Sequence, residues 1–395
     1  MANHIIRTAL ATCIVLAPSA AFAQSPLTPL VVSGNRFGSE LLAAVDAPNT
    51  NRFLSPFSVR TALAMTSLGA DGKTLDQMNA TLGFADRDQA GAFGRMGGSL
   101  VARHAGTAST LSMANRIWID RSFPILDTFK SACRQDFGAE AESADFASSP
   151  DSERAAINQW VADQTQGKID ELFQPGTIDS MTRMVLANAI YFKANWKHPF
   201  SADITTDGKF RQADGTTAPA RLMHQESRLA YGEDGDFQIV EMPYSDEKLS
   251  MVVLLPKDPS AMPSASAWLS DAAKLQSLEP RQVAVTLPKF TIRTQLDLSG
   301  PLKKLGMTDA FNAVATDFGR MSPTGQLFIS AVVHEAFIEV DETGTEAAAA
   351  TGVAMALKMA PKDPPVVFQA DRPFWFFIRD TESGTVLFVG RLSKL

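Results

Sequence analysis

Cysteine is nearly absent: the 395 residues hold two, Cys13 and Cys133. Cys13 lies in an N-terminal segment expected to be removed, so Cys133 stands alone and an internal disulfide is excluded even in an oxidising compartment. It reads as a small buried thiol. Histidine is scarce as well, five in all, which limits metal sites and catalytic triads alike. His334-Glu335 opens like H-E-x-x-H, but Ile338 occupies the position of the second ligand. There is no G-x-S-x-G elbow, no G-x-x-x-x-G-K-[ST] loop, no G-x-G-x-x-G and no C-x-x-C. An enzyme thus has no local signature, and neither catalytic residues nor a metal is expected.

A basic excess is missing too. Lys and Arg number 36 against 43 Asp and Glu, a net charge of −7, so nucleic acid is not an expected partner. Residues 1–23 carry Arg7, then an apolar stretch, then the A-x-A pattern Ala21-Phe22-Ala23. The stretch is too short to span a bilayer and Pro18 interrupts it. This predicts a signal peptide of bacterial character over 1–23 and a mature chain from Gln24. The expected location is secreted or periplasmic, with no membrane attachment after cleavage.

What is present is a globular composition, 45% hydrophobic and 20% charged. Residues 51–84 read as two helices: Ser55 caps the first with Pro56 at its first position, and Thr74 with Gln77 form a T-x-x-Q capping box for the second. A third fits 152–166, with Ile157, Trp160 and Val161 on one face. Strand signals dominate later, in 249–256, 282–292, 336–340, 374–378 and 385–390, all rich in β-branched and aromatic residues. With no repeat and no linker-like stretch, the expectation is one large α+β domain.

The unusual stretch is DETGTEAAAATG, residues 341–352. It follows a strand signal and precedes Pro361, Pro364 and Pro365, which forbid a continuing helix. A connection of roughly 25 residues is uncommon unless functional or disordered. Laid out as a strand, it would point Thr345, Ala347, Ala349, Thr351 and Val353, all small or β-branched, to one side. Such a segment could slide between two existing strands, with Gly344 as hinge.

From Glu342 to Thr351 the sequence resembles the reactive-loop hinge of the inhibitory serpins. NAIYFKANWKHPF (188–200), LPKF (287–290), LGMTDAF (305–311), ISAVVHEAFIEVDETGTEAA (329–348) and DRPFWFFIRDTESGTVLFVGRL (371–392) are similar to other signatures of that family, in the same order. The resemblance implies a single serpin domain over 24–395, with three β-sheets, about eight or nine helices and an exposed reactive-centre loop at about 342–367. It implies a suicide-substrate inhibitor that acts as a monomer: a serine protease cuts the loop and forms a covalent acyl complex, and the cut loop enters the main sheet as a new strand.

Counting along the family pattern from Glu342 and Gly344 sets the reactive bond at Lys358-Met359, where a basic residue suits trypsin-like proteases. Counting back from DRPF also admits Lys362, and cleavage at Met355, Leu357 or Met359 would suit elastase-, chymotrypsin- or subtilisin-like targets. The resemblance sets the hinge at Glu342, Gly344, Thr345, Ala347, Ala349 and Thr351, and the absence of Pro, bulky or charged residues at the inward-facing positions from Thr345 to Thr351 favours inhibition over a non-inhibitory carrier or chaperone. Glu346 would point outward to solvent. The resemblance sets Ser55, Pro56, Ser58, Asn188 and His334 beneath the opening sheet, and Trp196 where the loop first enters. Arg87, Arg95, Arg103 and His104, mixed with Asp86 and Asp88, make a poor basic helix, so no heparin-type cofactor is expected.

Overall fold

The computed structural model describes residues 28–47, 49–104, 109–270, 272–345 and 364–395. The expected leader 1–23 and Glu346, Ala347, Ala349, Thr351, Lys358 and Met359 lie outside them. Eight α-helices are present among the described residues, four of them at the start: Pro29–Val45, Pro56–Ser67, Gly72–Leu82 and Arg87–His104. The helix Pro56–Ser67 begins where local chemistry dictates. The Ser55 hydroxyl accepts from the Ser58 amide at 3.1 Å, and Pro56, lacking a donor, takes the first position. All of its residues are buried, as suits a helix enclosed on every side.

The next helix departs from expectation. Its cap is Asp71, three residues before Thr74, and the T-x-x-Q pair is used elsewhere. The Thr74 hydroxyl accepts from the Asp317 amide at 2.9 Å, and Gln77 Oε1 accepts from the amides of Thr308 and Asp309 at 3.0 and 2.8 Å. Distant backbone donors outcompeted the local ones.

The strands form two hydrogen-bonded sheets, the larger of which consists of two sets. The main sheet has six strands in the order Phe290–Asp297, Ala331–Val340, Gly344–Thr345, Met184–Asn195, Ser109–Asp120 and Ala141–Ala144. The other has nine strands in two sets that share the long strand Thr217–Glu233. One runs from Arg52–Leu54 through Val386–Leu392, Phe374–Asp380, Leu249–Pro256 and Phe237–Pro243 to that strand; the other joins it to Thr206–Arg211, Glu279–Pro288 and Val366–Gln369. The single strand signal at 282–292 is in fact two strands in different sheets. The break falls after Pro288, which lacks a donor, and the Lys289 amide turns to the Arg221 carbonyl at 2.8 Å.

Both faces of the main sheet are covered. On one, Leu186, Ile190, Phe192, Val332 and Ile338 join the principal core. On the other, Val185, Ala187, Ala189, Ala331 and Val333 pack with Trp118, Ile157, Val161, Ile169, Leu172 and Phe173 beneath the helix Pro150–Gln164 and the linker after it. Strands buried on both sides read as continuous apolar runs, as in MVLANAIYF.

Candidate functional site

The two central strands of the main sheet, Met184–Asn195 and Ala331–Val340, run parallel and pair from Val185 with Ala331 to Tyr191 with Phe337. Midway along them His334 lies opposite Asn188, and both point toward the N-terminus of the helix Pro56–Ser67. The Ser55 amide donates to His334 Nε2 at 3.0 Å, so the other ring nitrogen carries the proton and donates to Asn188 Oδ1. Asn188 Nδ2 donates to Ser58 Oγ at 2.6 Å and also to Asn115 Oδ1, while the Ser55 hydroxyl donates to the Leu387 carbonyl at 2.7 Å. Ser55, Ser58, Asn188 and His334 are wholly buried. Each must therefore find partners inside the protein. Burial pushes the His334 pKa down to about 3, so the ring stays neutral, and with both nitrogens engaged it has no lone pair for a metal.

Above this network the central strands diverge and Gly344–Thr345 is seated between them. Thr345 lies opposite both Val340 and Ala194, and Gly344 opposite Asn195. A Cβ on Gly344 would stand 2.0 Å from the Ala194 carbonyl oxygen. The glycine is required by close approach, since its φ is not in the left-handed region. Thr345 is fully buried, and its hydroxyl shares a hydrogen bond of 2.8 Å with the Tyr244 phenol. Tyr244 in turn stacks on Trp196 at 4.7 Å between ring centres.

The preceding turn is tied down by Asp341, whose carboxylate accepts from the Thr343 and Gly344 amides at 2.8 and 3.1 Å and from the Thr343 hydroxyl at 2.8 Å. Trp196 donates through its indole nitrogen to the Asp341 carbonyl at 3.0 Å and through its amide to the Thr343 carbonyl at 2.9 Å. Glu342 meets Lys289 Nζ at 2.7 Å and the Thr205 hydroxyl at 2.9 Å. Burial raises the Glu342 pKa, but those donors outweigh it and hold the carboxyl below its usual range.

Ser55, Pro56, Ser58, Asn188 and His334 thus meet at the middle of the sheet, and Glu342, Gly344, Thr345 and Trp196 meet at its upper end. Sequence reasoning missed Asn115, Tyr244, Asp341, Thr205 and Lys289. Only Asp341 had a local signal, the Asp-x-Thr turn pattern. His104, counted with Arg87, Arg95 and Arg103 among the few basic residues of its helix, is buried between Asp246 at 3.6 Å and Asp380 at 3.3 Å. Arg95 pairs with Asp136, and Arg103 with Glu382 at 2.6 Å.

A family model described as serpin, serine protease inhibitor, matches residues 33–395. The leukocyte elastase inhibitor of Homo sapiens is 38% identical over 377 residues, 92% of this chain and 98% of that protein. Serpin B6 of Pongo abelii is 36% identical over 375 residues, 92% and 99% respectively. The crystal structure of Serpin48, described as a highly specific serpin of the insect Tenebrio molitor, matches with a TM-score of 0.82 at 30% identity, covering 93% of this chain and 98% of that one. These relatives are eukaryotic, so the bacterial character read from residues 1–23 is not borne out. The secreted or periplasmic location is likewise overturned: leukocyte elastase inhibitor and serpin B6 belong to the intracellular serpins. Matched over nearly its whole length by model, relatives and fold, the chain belongs to the serpin family, whose members are protease inhibitors and not enzymes.

Proposed function

We propose that this chain is a suicide-substrate inhibitor of serine proteases that traps the acyl-enzyme by inserting its cleaved loop between Met184–Asn195 and Ala331–Val340. The observation that carries the proposal is the seating of Gly344–Thr345 between those strands as the first residues of an antiparallel insert. Continuing the same register residue by residue, Thr351 would fall opposite both His334 and Asn188. Its hydroxyl would then replace the direct bond between them. Ala347 and Ala349 would face the principal core, as Thr345 does.

The even-numbered positions gain a reason as well. Ala348 would come opposite Phe337 and Tyr191, and Ala350 opposite Glu335 and Ala189, on the face covered by the linker after Gln164. An insert enclosed on both faces needs small residues at every position, hence an unbroken Ala run where alternation alone would suffice for a strand open to solvent. Glu346 would meet Lys193 and Glu339 nearer the sheet's upper end, where both are part-exposed.

For the target, Lys358-Met359 as reactive bond suits a trypsin-like pocket. A second reading, an elastase- or chymotrypsin-like target cut at Leu357, Met355 or Met359, is favoured by the relatives named as elastase inhibitors. Incubation with trypsin and, separately, with pancreatic elastase distinguishes them. Trypsin is expected to give a complex that survives denaturing electrophoresis and a C-terminal peptide beginning at Met359. A stable complex with elastase alone transfers the assignment to the apolar bonds, and clean cleavage without any stable complex by either protease removes the trapping mechanism.

A further inference from the structure

The linker 165–183 joins the helix Pro150–Gln164 to the strand Met184–Asn195, so one end of it is covalently part of one central strand. Its middle is fixed to the other side of the gap. Gln295, on the strand Phe290–Asp297, donates through Nε2 to the Glu171 and Leu172 carbonyls at 3.0 and 2.9 Å and to Glu335 Oε2 at 3.2 Å. Its neighbour Arg293 donates to the Lys168 carbonyl, approaches Asp170 at 3.5 Å and pairs through Nε with Glu335 at 2.8 Å. Lys168 Nζ sits 5.7 Å from the centre of the Phe337 ring. Glu335 and Phe337 belong to the second central strand and face the linker. Beneath the linker, Ile169, Leu172 and Phe173 cover Val185, Ala187 and Val333 from both central strands.

We infer that Gln295, Arg293 and Glu335 are positioning residues that fasten the linker as a strap across the gap and thereby set the rate at which a strand enters the main sheet. This rests on the insertion reading above. The strap is anchored on both sides of the line along which the strands must part, so the gap cannot widen at the level of Glu335 until the carbonyls of Lys168, Glu171 and Leu172 let go. Each of these bonds is of ordinary strength and the group of them is partly exposed, so the fastening is reversible. Release exposes the apolar cover, while the covalent end stays in place.

A synthetic peptide of residues 345–358, TEAAAATGVAMALK, added in excess to the uncut full chain reports sheet opening with no protease present. Wild type is expected to take it up slowly, with a rise in Tm. Gln295→Leu, and separately the charge-free pair Arg293→Gln with Glu335→Gln, is expected to take it up roughly tenfold faster, since about two modest hydrogen bonds no longer oppose opening. Thr74→Val, which removes a hydrogen bond remote from the gap, supplies the control. Uptake by wild type at an unchanged rate in both clasp variants overturns the strap and leaves insertion standing. So does an acceleration matched by Thr74→Val at equal loss of Tm, because that is general destabilisation. Failure of wild type to take up any peptide overturns insertion and the strap together. Should the charge pair variant not fold, Gln295→Leu decides, because Gln295 is an exposed residue on an edge strand.

Discussion

Two buried histidines respond to pH in opposite directions, for reasons visible in their neighbours. His334 has no carboxylate partner, and burial holds its pKa near 3, against about 6.5 in the unfolded chain. Below pH 6.5 the unfolded chain gains a proton the folded chain refuses, so stability falls on acidification by up to ~1.4 kcal/mol per pH unit. His104 is also desolvated by burial, but hydrogen bonds and charge from Asp246 and Asp380 outweigh this and raise its pKa. Its contribution is therefore complete below about pH 6.5 and is lost as the pH climbs through the raised folded value. Arg103 and Ser109 also face this cluster. Asp246 and Asp380, whose pKa values are depressed, contribute above the usual carboxylate range and lose that contribution on acidification. Thermal melts from pH 4 to 9 are expected to show a maximum; His104→Gln should flatten the alkaline limb and His334→Gln the limb between pH 6.5 and 5. A His104→Gln profile that still declines above pH 7 as wild type does would refute the first assignment. Gly344 makes a steric prediction. Gly344→Ala brings a methyl group against the Ala194 carbonyl, and urea unfolding is expected to show a loss of about 1–3 kcal/mol; an unchanged midpoint would mean that Gly344–Thr345 is not held between the strands.

Elements were legible in proportion to how local their causes are. The helix at Pro56 could be read because its cap and its first residue are neighbours in sequence. The helix after Asp71 began early because Thr74 and Gln77 are claimed by Asp317, Thr308 and Asp309, which no local pattern reveals. Lys289 divides two sheets through the missing donor of Pro288, a signal that was present and read through. In the site, Tyr244 reaches Thr345 from 101 residues away, and a lone Tyr in a strand-rich region carries no mark of that. The burial of His104 was not legible because a helix sequence shows charge and not burial. On the insertion proposal the turn Asp341–Gly344 aims the loop, so it carries its own prediction. Asp341→Ala removes three acceptor contacts and is expected to lower stability by roughly 1–2 kcal/mol. With the turn loosened, the loop should also enter the sheet before cleavage more readily, seen as faster spontaneous loss of inhibitory activity at raised temperature. An active-state lifetime equal to wild type would argue that the turn holds shape without aiming the loop.

At the scale of the molecule, the main sheet holds one arrangement that another would improve. Its central strands are joined by a parallel ladder from Val185 with Ala331 to Tyr191 with Phe337, and an antiparallel insert would replace that ladder with two of the more stable kind. The gain is about ten backbone hydrogen bonds, ~1 kcal/mol each net. What delays it is connectivity, since an uncut loop is tethered at both ends, at Thr345 and at Val366 on a different sheet. On the insertion proposal the native state is then held by barriers. Limited cleavage of the loop by a trace of trypsin, with the protease then inactivated, should raise Tm by roughly 20 °C, taking about 2 °C per kcal/mol for a chain of this size. The same treatment of Thr345→Arg, which would have to bury a charge where Thr345 now meets Tyr244, is expected to leave Tm near its uncut value and to convert inhibitor into substrate. A cut wild-type chain that melts where the uncut chain does would mean that the loop stays outside the sheet, and the family fold would then serve a role other than trapping.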